Sequence, residues 1–211
     1  MCMSCGAPIR WYDNIPLLSY VLLRGRCRSC RARISIVYPA VELVTALLIA
    51  GCVLAFGLSG KTLVAAFFCA VLVAVSAIDI LHRIIPNRIV LPAAGIVLVA
   101  NTALDPSPQW IIGAVAASGF LLATALIYPA GMGMGDVKLA LLMGAALGKT
   151  VSVALVVGLL ASVVPSIYLV ARHGAKGRKM GIPFGPFLAL GSVVALFWGS
   201  DLLDAYFSSL H

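Results

Sequence analysis

Lys61 to Leu81, KTLVAAFFCAVLVAVSAIDIL, contains no charged residue between its first lysine and its end except Asp79. A helix needs roughly 20 apolar residues to cross a hydrocarbon core about 30 Å thick, and this run is long enough. It also satisfies its own backbone hydrogen bonds where no water is present. A carboxylate at that depth is costly unless it works, so Asp79 is a candidate functional residue. A second stretch, GMGMGDVKLALLMG from Gly131 to Gly144, sets Asp136 at the start of another apolar run. Two such aspartates suggest an acid/base pair.

The whole chain has the same character. Of its 211 residues 62% are hydrophobic and only 10% charged, whereas about a quarter are charged in a soluble domain. This is an integral membrane protein. Seven apolar segments are expected, Tyr38 to Leu58, Lys61 to Leu81, Arg88 to Leu104, Gln109 to Ala130, Asp136 to Gly148, Val151 to Ala171 and Phe184 to Phe207. The fold expected is therefore all-α, a polytopic bundle of about seven transmembrane helices. The fifth segment is short, and must tilt, extend into its neighbour or open into a wet depression. A polar stretch with four cysteines precedes the first segment, which does not resemble a cleavable signal peptide. Two domains follow, a small cytoplasmic module at 1–37 and a membrane domain at 38–211.

Orientation comes from the tendency of basic residues to stay on the cytoplasmic side. If the cysteine module is cytoplasmic and the segments alternate, that side holds Arg10, Arg24, Arg26, Arg28, Arg31, Arg33, Arg83, Arg88, Lys138, Arg172, Lys176, Arg178 and Lys179. Only Lys61 and Lys149 fall outside, together with Asp105, Asp201 and Asp204. Asp79 and Asp136 then share the cytoplasmic face. Topology and attraction to anionic lipid account for the net charge of +8, so no nucleic-acid partner is required.

Two carboxylates held close together cannot both ionise easily; they share a proton and titrate as a pair. The ionised member takes a proton from water while the protonated one donates to a carbonyl, as in aspartic proteases. Peptide hydrolysis at the membrane edge follows. The local sequences suit it: Gly131, Gly133 and Gly135 allow close approach before Asp136, and a carboxylate at a helix start meets the positive end of the dipole. Lys138, two positions on, points away from Asp136. Ile85-Pro86-Asn87 ends the helix that carries Asp79. The competing readings are a proton relay in a transporter and a non-catalytic scaffold that uses the pair structurally.

Cys2-x-x-Cys5 and Cys27-x-x-Cys30 are chelating pairs able to offer four thiolates to one tetrahedral Zn²⁺. A cytoplasmic location favours metal over disulfides. Four thiolates leave no open position for water, so the zinc would be structural.

Gly133 to Lys138, the Asp79 segment running into Ile85-Pro86-Asn87, and Ile182-Pro183-Phe184-Gly185-Pro186-Phe187 together resemble the type IV prepilin peptidases, within the Gly-x-Gly-Asp intramembrane aspartyl proteases. RWYDNIPLLSYVLL from Arg10, the cysteine pair at Cys27 and Tyr38 to Leu43 are similar to that family's cytoplasmic cysteine domain. The resemblance implies that Asp79 and Asp136 are the catalytic pair, with Gly133, Gly135, Lys138, Pro86 and Asn87 binding substrate or supporting the site. It implies a cytoplasmic-membrane (inner-membrane) enzyme that removes the short basic leader from prepilins or the pseudopilins of type II secretion. Many members also methylate the new amino terminus with S-adenosylmethionine; bifunctional relatives carry a further transmembrane helix before the first cysteine pair, and this chain starts at Met1-Cys2.

Other conspicuous residues have plainer readings. Cys52 and Cys69 are packing residues within apolar helices. His82, His173 and His211 suit a lipid surface or solvent, and Glu42 suits the amino end of the first membrane helix. Arg172 to Lys179 is an inside-positive anchor. Gly113, Ala117 and Gly144 allow close helix packing.

Overall fold

The computed structural model describes residues 1–2, 4–15, 17–128, 132–173 and 182–209. Ala130, Gly131, Lys176, Arg178, Lys179 and His211 lie outside them, as does the side chain of His173. Among the described residues the structure is helical, with one isolated bridge between Arg26 and Arg33 and no strand. A short helix, α1 (Leu18–Leu22), is followed by α2 (Val37–Phe56), α3 (Gly60–His82), α4 (Asn87–Leu104), α5 (Gln109–Ile127), α6 (Met134–Leu147), α7 (Val151–His173) and α8 (Gly185–Ser208). Each of the seven expected segments is a helix. Six stretches are long and apolar enough to cross a membrane, α6 and α7 forming one of them, Met134–Leu169.

Local chemistry sets the helix ends. The Ser59 hydroxyl accepts from the Thr62 N–H at 3.3 Å and opens α3, satisfying a donor that has no partner within the helix. Arg83, left-handed at φ 55°, closes α3 with its N–H on the Asp79 carbonyl. Pro86 precedes the first residue of α4, where its fixed φ suits a helix start. At Gly148, φ 57°, the chain leaves α6. It then returns along α8: Thr150 lies beside Gly199, Ala154 beside Gly191 and Gly158 beside Phe187.

The helices alternate in direction. One end of the bundle joins Leu104 to Gly60, Gln109 to Gly148 and Thr150 to Gly199. The other joins Asp79 to Gly185, Ile85 to Gly135 and Asn87 to Lys138. Both aspartates therefore lie at the same end.

The short α6 resolves the puzzle of the fifth segment. At 14 residues it is only about 21 Å long. It begins two residues earlier than expected, so Asp136 falls within its first turn. Its Leu139, Ala140, Leu142 and Met143 are fully buried, packed in one core with Phe68, Leu72, Val90, Val97, Leu121 and Leu188. A helix apolar all round belongs inside the protein. Walled by helices rather than lipid, α6 need not match the bilayer thickness.

Glycines permit that enclosure. A Cβ on Gly144 would collide with the Gly113 carbonyl, and one on Gly113 would stand 2.6 Å from the Gly148 carbonyl oxygen. The helices α5 and α6 thus touch backbone to backbone, the close approach that small residues allow in membranes. Farther along, the buried Asn101 donates to the Ala145 carbonyl at 3.0 Å and ties α4 to α6. Cys52 and Cys69, with sulfurs 3.9 Å apart, pack where α2 meets α3. By contrast, Gly119 faces open space. Gly144→Ala is expected to cost about 1–3 kcal/mol through overpacking, while Gly119→Ala is neutral or gains up to about 1 kcal/mol from helix propensity. Thermal unfolding in detergent measures both; equal effects would contradict the close α5–α6 contact.

Candidate active site

Asp79 sits on the last turn of α3 and is only 5% exposed, and Asp136, in the first turn of α6, is 8% exposed. Each carboxylate is held by a glycine backbone. Asp79 Oδ2 accepts from the Gly185 N–H at 3.0 Å, and Asp136 Oδ2 from the Gly133 N–H at 3.3 Å. The two donors open α8 and α6, so each carboxylate stands at the positive end of a helix dipole. Among the described residues neither Oδ1 receives a donor. The two aspartates stand at the same end of the bundle, one on the last turn of α3 and the other on the first turn of α6.

The glycines are required by space as well as by hydrogen bonding. A Cβ at Gly185 would lie 2.8 Å from Asp79 Oδ2, and one at Gly135 2.8 Å from the Ile85 Cβ. Gly135 therefore lets the chain before α4 press against the start of α6. Lys138 donates its ammonium to Asn87 Oδ1 at 2.9 Å, joining α6 to the first residue of α4. It is turned away from Asp136, as the spacing anticipates. Pro86 sets the start of α4 next to this contact.

The sequence carries Gly185 within the run from Ile182 to Phe187 and Arg83 among the inside basic residues, but assigns neither a place beside Asp79. Gly185 lies 106 positions from Asp79, and only its place in the Pro-Phe-Gly-Pro run marks it. Arg83 is signalled by its position one turn beyond Asp79.

A second cluster lies before the membrane helices. The sulfurs of Cys2, Cys5, Cys27 and Cys30 are all within 4.8 Å of one another, and those of Cys2 and Cys30 are 3.9 Å apart. Tetrahedral thiolates at about 2.3 Å from a zinc ion stand roughly 3.8 Å apart, so the four residues fit a metal ion. The two pairs fold alike. The Cys2 N–H donates to the Ala7 carbonyl and Cys27 N–H to the Ala32 carbonyl, while Gly6 and Arg31 N–H groups return to the Cys2 and Cys27 carbonyls. Gly6 and Arg31 both have positive φ.

Backbone hydrogen bonds at Ser4 and Cys5 draw the Cys2 thiol down to about 6. At Cys30 the Ala32 backbone lowers the thiol, but the neighbouring Cys5, Cys27 and Cys2 together with burial push it up to about 11. Arg28 clasps the Asp13 carboxylate with distances down to 2.6 Å nearby, and Leu17 N–H reaches Glu42 Oε2 at 3.3 Å, linking this module to α2.

Comparison with known proteins agrees with this architecture. Residues 1–56 match the bacterial peptidase A24 N-terminal domain and 66–170 the type IV leader peptidase family. Among relatives named prepilin leader peptidase/N-methyltransferase, that of Xanthomonas campestris pv. campestris is 36% identical over 95% of this chain and 72% of its own length. That of Burkholderia pseudomallei is 38% identical over 94% and 67%, and that of Bacillus subtilis 34% over 97% and 84%. No solved structure matches. On matches that run through both the cysteine module and the helices bearing the two aspartates, the chain belongs to the type IV leader peptidase family and is a peptidase.

Proposed function

We propose that the protein is an aspartic endopeptidase that removes the basic leader from type IV prepilins or type II secretion pseudopilins at the cytoplasmic face of the bacterial inner membrane. The observation that carries this reading is the pair of buried carboxylates at one end of the bundle, each anchored through one oxygen to a glycine N–H. Anchoring leaves the second oxygens for a water and the scissile carbonyl. One aspartate, ionised, draws a proton from that water as it attacks the peptide carbon. The other, protonated, donates to the carbonyl oxygen; as the tetrahedral diol collapses, the first passes the water's proton to the leaving amine and the second takes its own proton back from the diol hydroxyl. Gly133, Gly135, Lys138, Pro86 and Asn87 keep α6 and the start of α4 in register beside the pair. Basic residues concentrated at the Asp end support its cytoplasmic placement.

Within this reading the chain divides into a zinc-binding module at 1–37 and a peptidase domain at 38–211. Cys2, Cys5, Cys27 and Cys30 hold a structural Zn²⁺, which when bound fixes the module's fold and takes no part in hydrolysis. Methylation of the new amino terminus with S-adenosylmethionine, suggested by the relatives' names, is a separate activity.

Asp79→Asn and Asp136→Asn are each expected to lower prepilin cleavage in proteoliposomes by at least about 10²-fold, the lower bound for general acid/base groups, with the protein still folded. Wild-type rates in either variant would refute the assignment. Cleavage should proceed without S-adenosylmethionine, whose addition is read separately as methyl incorporation.

Gly185→Ala pushes a methyl group onto Asp79 Oδ2. It should slow cleavage by roughly 10²-fold, as a displacement of about 1 Å does; an unchanged rate would show that this contact does not position the carboxylate.

Loading Zn²⁺ into stripped protein at pH 7 should release protons, because the Cys30 thiol at about 11 must give up its proton to bind. Calorimetry in buffers of different ionisation enthalpy measures the release. Elemental analysis of Cys27→Ser/Cys30→Ser should show zinc lost, and unchanged stoichiometry would end the zinc assignment.

A further inference from the structure

Four arginines, Arg24, Arg26, Arg28 and Arg31, line a cavity of about 460 Å³ in the cysteine module, together with Leu22, Leu23 and the metal-ligand candidate Cys27. Only Arg28 has a carboxylate partner among the described residues, through Asp13. Two of the other three stand where an arginine is poorly suited. Arg24 has φ 52° and Arg31 φ 60°, the left-handed region that glycine occupies freely and other residues enter at a cost. At the matching position of the first cysteine pair the chain does use glycine, Gly6 at φ 68°. Backbone strain of this kind gathers at binding sites, where the side chain is worth the conformation. Arg24 and Arg31 both line this one cavity, whereas the other described non-glycine residues of positive φ, Leu17 and Arg83, lie elsewhere.

The surroundings indicate what the cavity takes. Val21 is 70% and Leu22 71% exposed, and Trp11, Leu18 and Ile36 are also exposed. Large apolar side chains displayed on a small polar module suit the boundary between lipid headgroups and acyl chains, where tryptophan also gathers. The module runs directly into α2, whose first residue is Val37, so it lies against that boundary by covalent necessity. Guanidinium groups match a phosphate with paired N–H donors. A metal tetrathiolate of about two net negative charges calls for nearby cations too, but it gives no reason for Val21 and Leu22 to stand exposed beside them.

We propose that the arginine cavity binds the phosphate of an anionic phospholipid headgroup, docking the cysteine module on the membrane surface through Arg24 and Arg31, with Leu22 against the acyl chains.

The test uses the full-length, metal-loaded protein in uncharged detergent, with native mass spectrometry counting bound phosphatidylglycerol and phosphatidylcholine. The variant is Arg24→Gly/Arg31→Gly, which relieves both strained backbones and so should melt no lower than wild type. The expected result is about tenfold or greater weakening of phosphatidylglycerol binding, from two cations lost at an anionic headgroup, with metal content unchanged. Phosphatidylcholine should bind weakly to both proteins, and inorganic phosphate should compete only at far higher concentration than the lipid. Equal phosphatidylglycerol binding by variant and wild type would overturn the proposal. So would loss of metal from the variant, which would assign the arginines to the thiolates. Inorganic phosphate binding as tightly as the lipid would reduce the cavity to a free-anion site. A raised KM for prepilin with lipid binding unchanged would assign it to the peptide. Either result also overturns the proposal.

Discussion

A carboxylate taken out of water needs a hydrogen-bond donor that is already fixed in place. The architecture supplies one for each aspartate at the start of a helix, Gly185 opening α8 for Asp79 and Gly133 before α6 for Asp136. Both arrangements require helix starts to reach the same end of the bundle as the last turn of α3. Much of the remaining structure serves that requirement. The reversal at Gly148 brings the chain back along α7, so that α8 can begin beside Asp79. The backbone contact of Gly113 with Gly144 admits α6 to the centre of the bundle. Lys138 and Asn87 then link the start of α6 to that of α4.

Enclosure of α6 also explains how a helix too short to span a bilayer is stable in one. Its apolar faces meet Phe68, Leu72, Val90, Leu121 and Leu188 instead of acyl chains. The helix can therefore stop where its chemistry requires, with Asp136 in the first turn rather than at a fixed membrane depth. Asp79 reaches the same level from the opposite direction, at the end of the much longer α3. Two helices of unequal length thus carry their acidic residues to the same end of the bundle, because one is anchored in protein and the other spans.

Much of this is legible in the amino acids. Apolar runs broken by Ser59, Pro86 and Gly148 mark the helices, because hydrophobic length and backbone punctuation are local properties. The asymmetry of basic residues gives the alternation that sets Asp79 and Asp136 at one end. The cysteine spacing foreshadows the cluster of sulfurs in the same way, since each pair is held by its own short turn. What stays hidden is set by tertiary distance. Nothing near Asp79 identifies Gly185 as its donor, and nothing near Gly144 identifies Gly113 as its neighbour, because each pairing depends on how remote helices cross. The left-handed backbones of Arg24 and Arg31 are hidden for the opposite reason: the residue type itself argues against them.

Hydrolysis by this pair requires the two carboxylates to lie near enough to hold one water between them. Replacing both by cysteine, Asp79→Cys/Asp136→Cys, and oxidising the protein in native membranes tests this directly, with mass spectrometry of the digested chain as the readout. A disulfide joining positions 79 and 136 in high yield is the predicted result. A chain in which both thiols remain free under conditions that oxidise exposed control cysteines would contradict it.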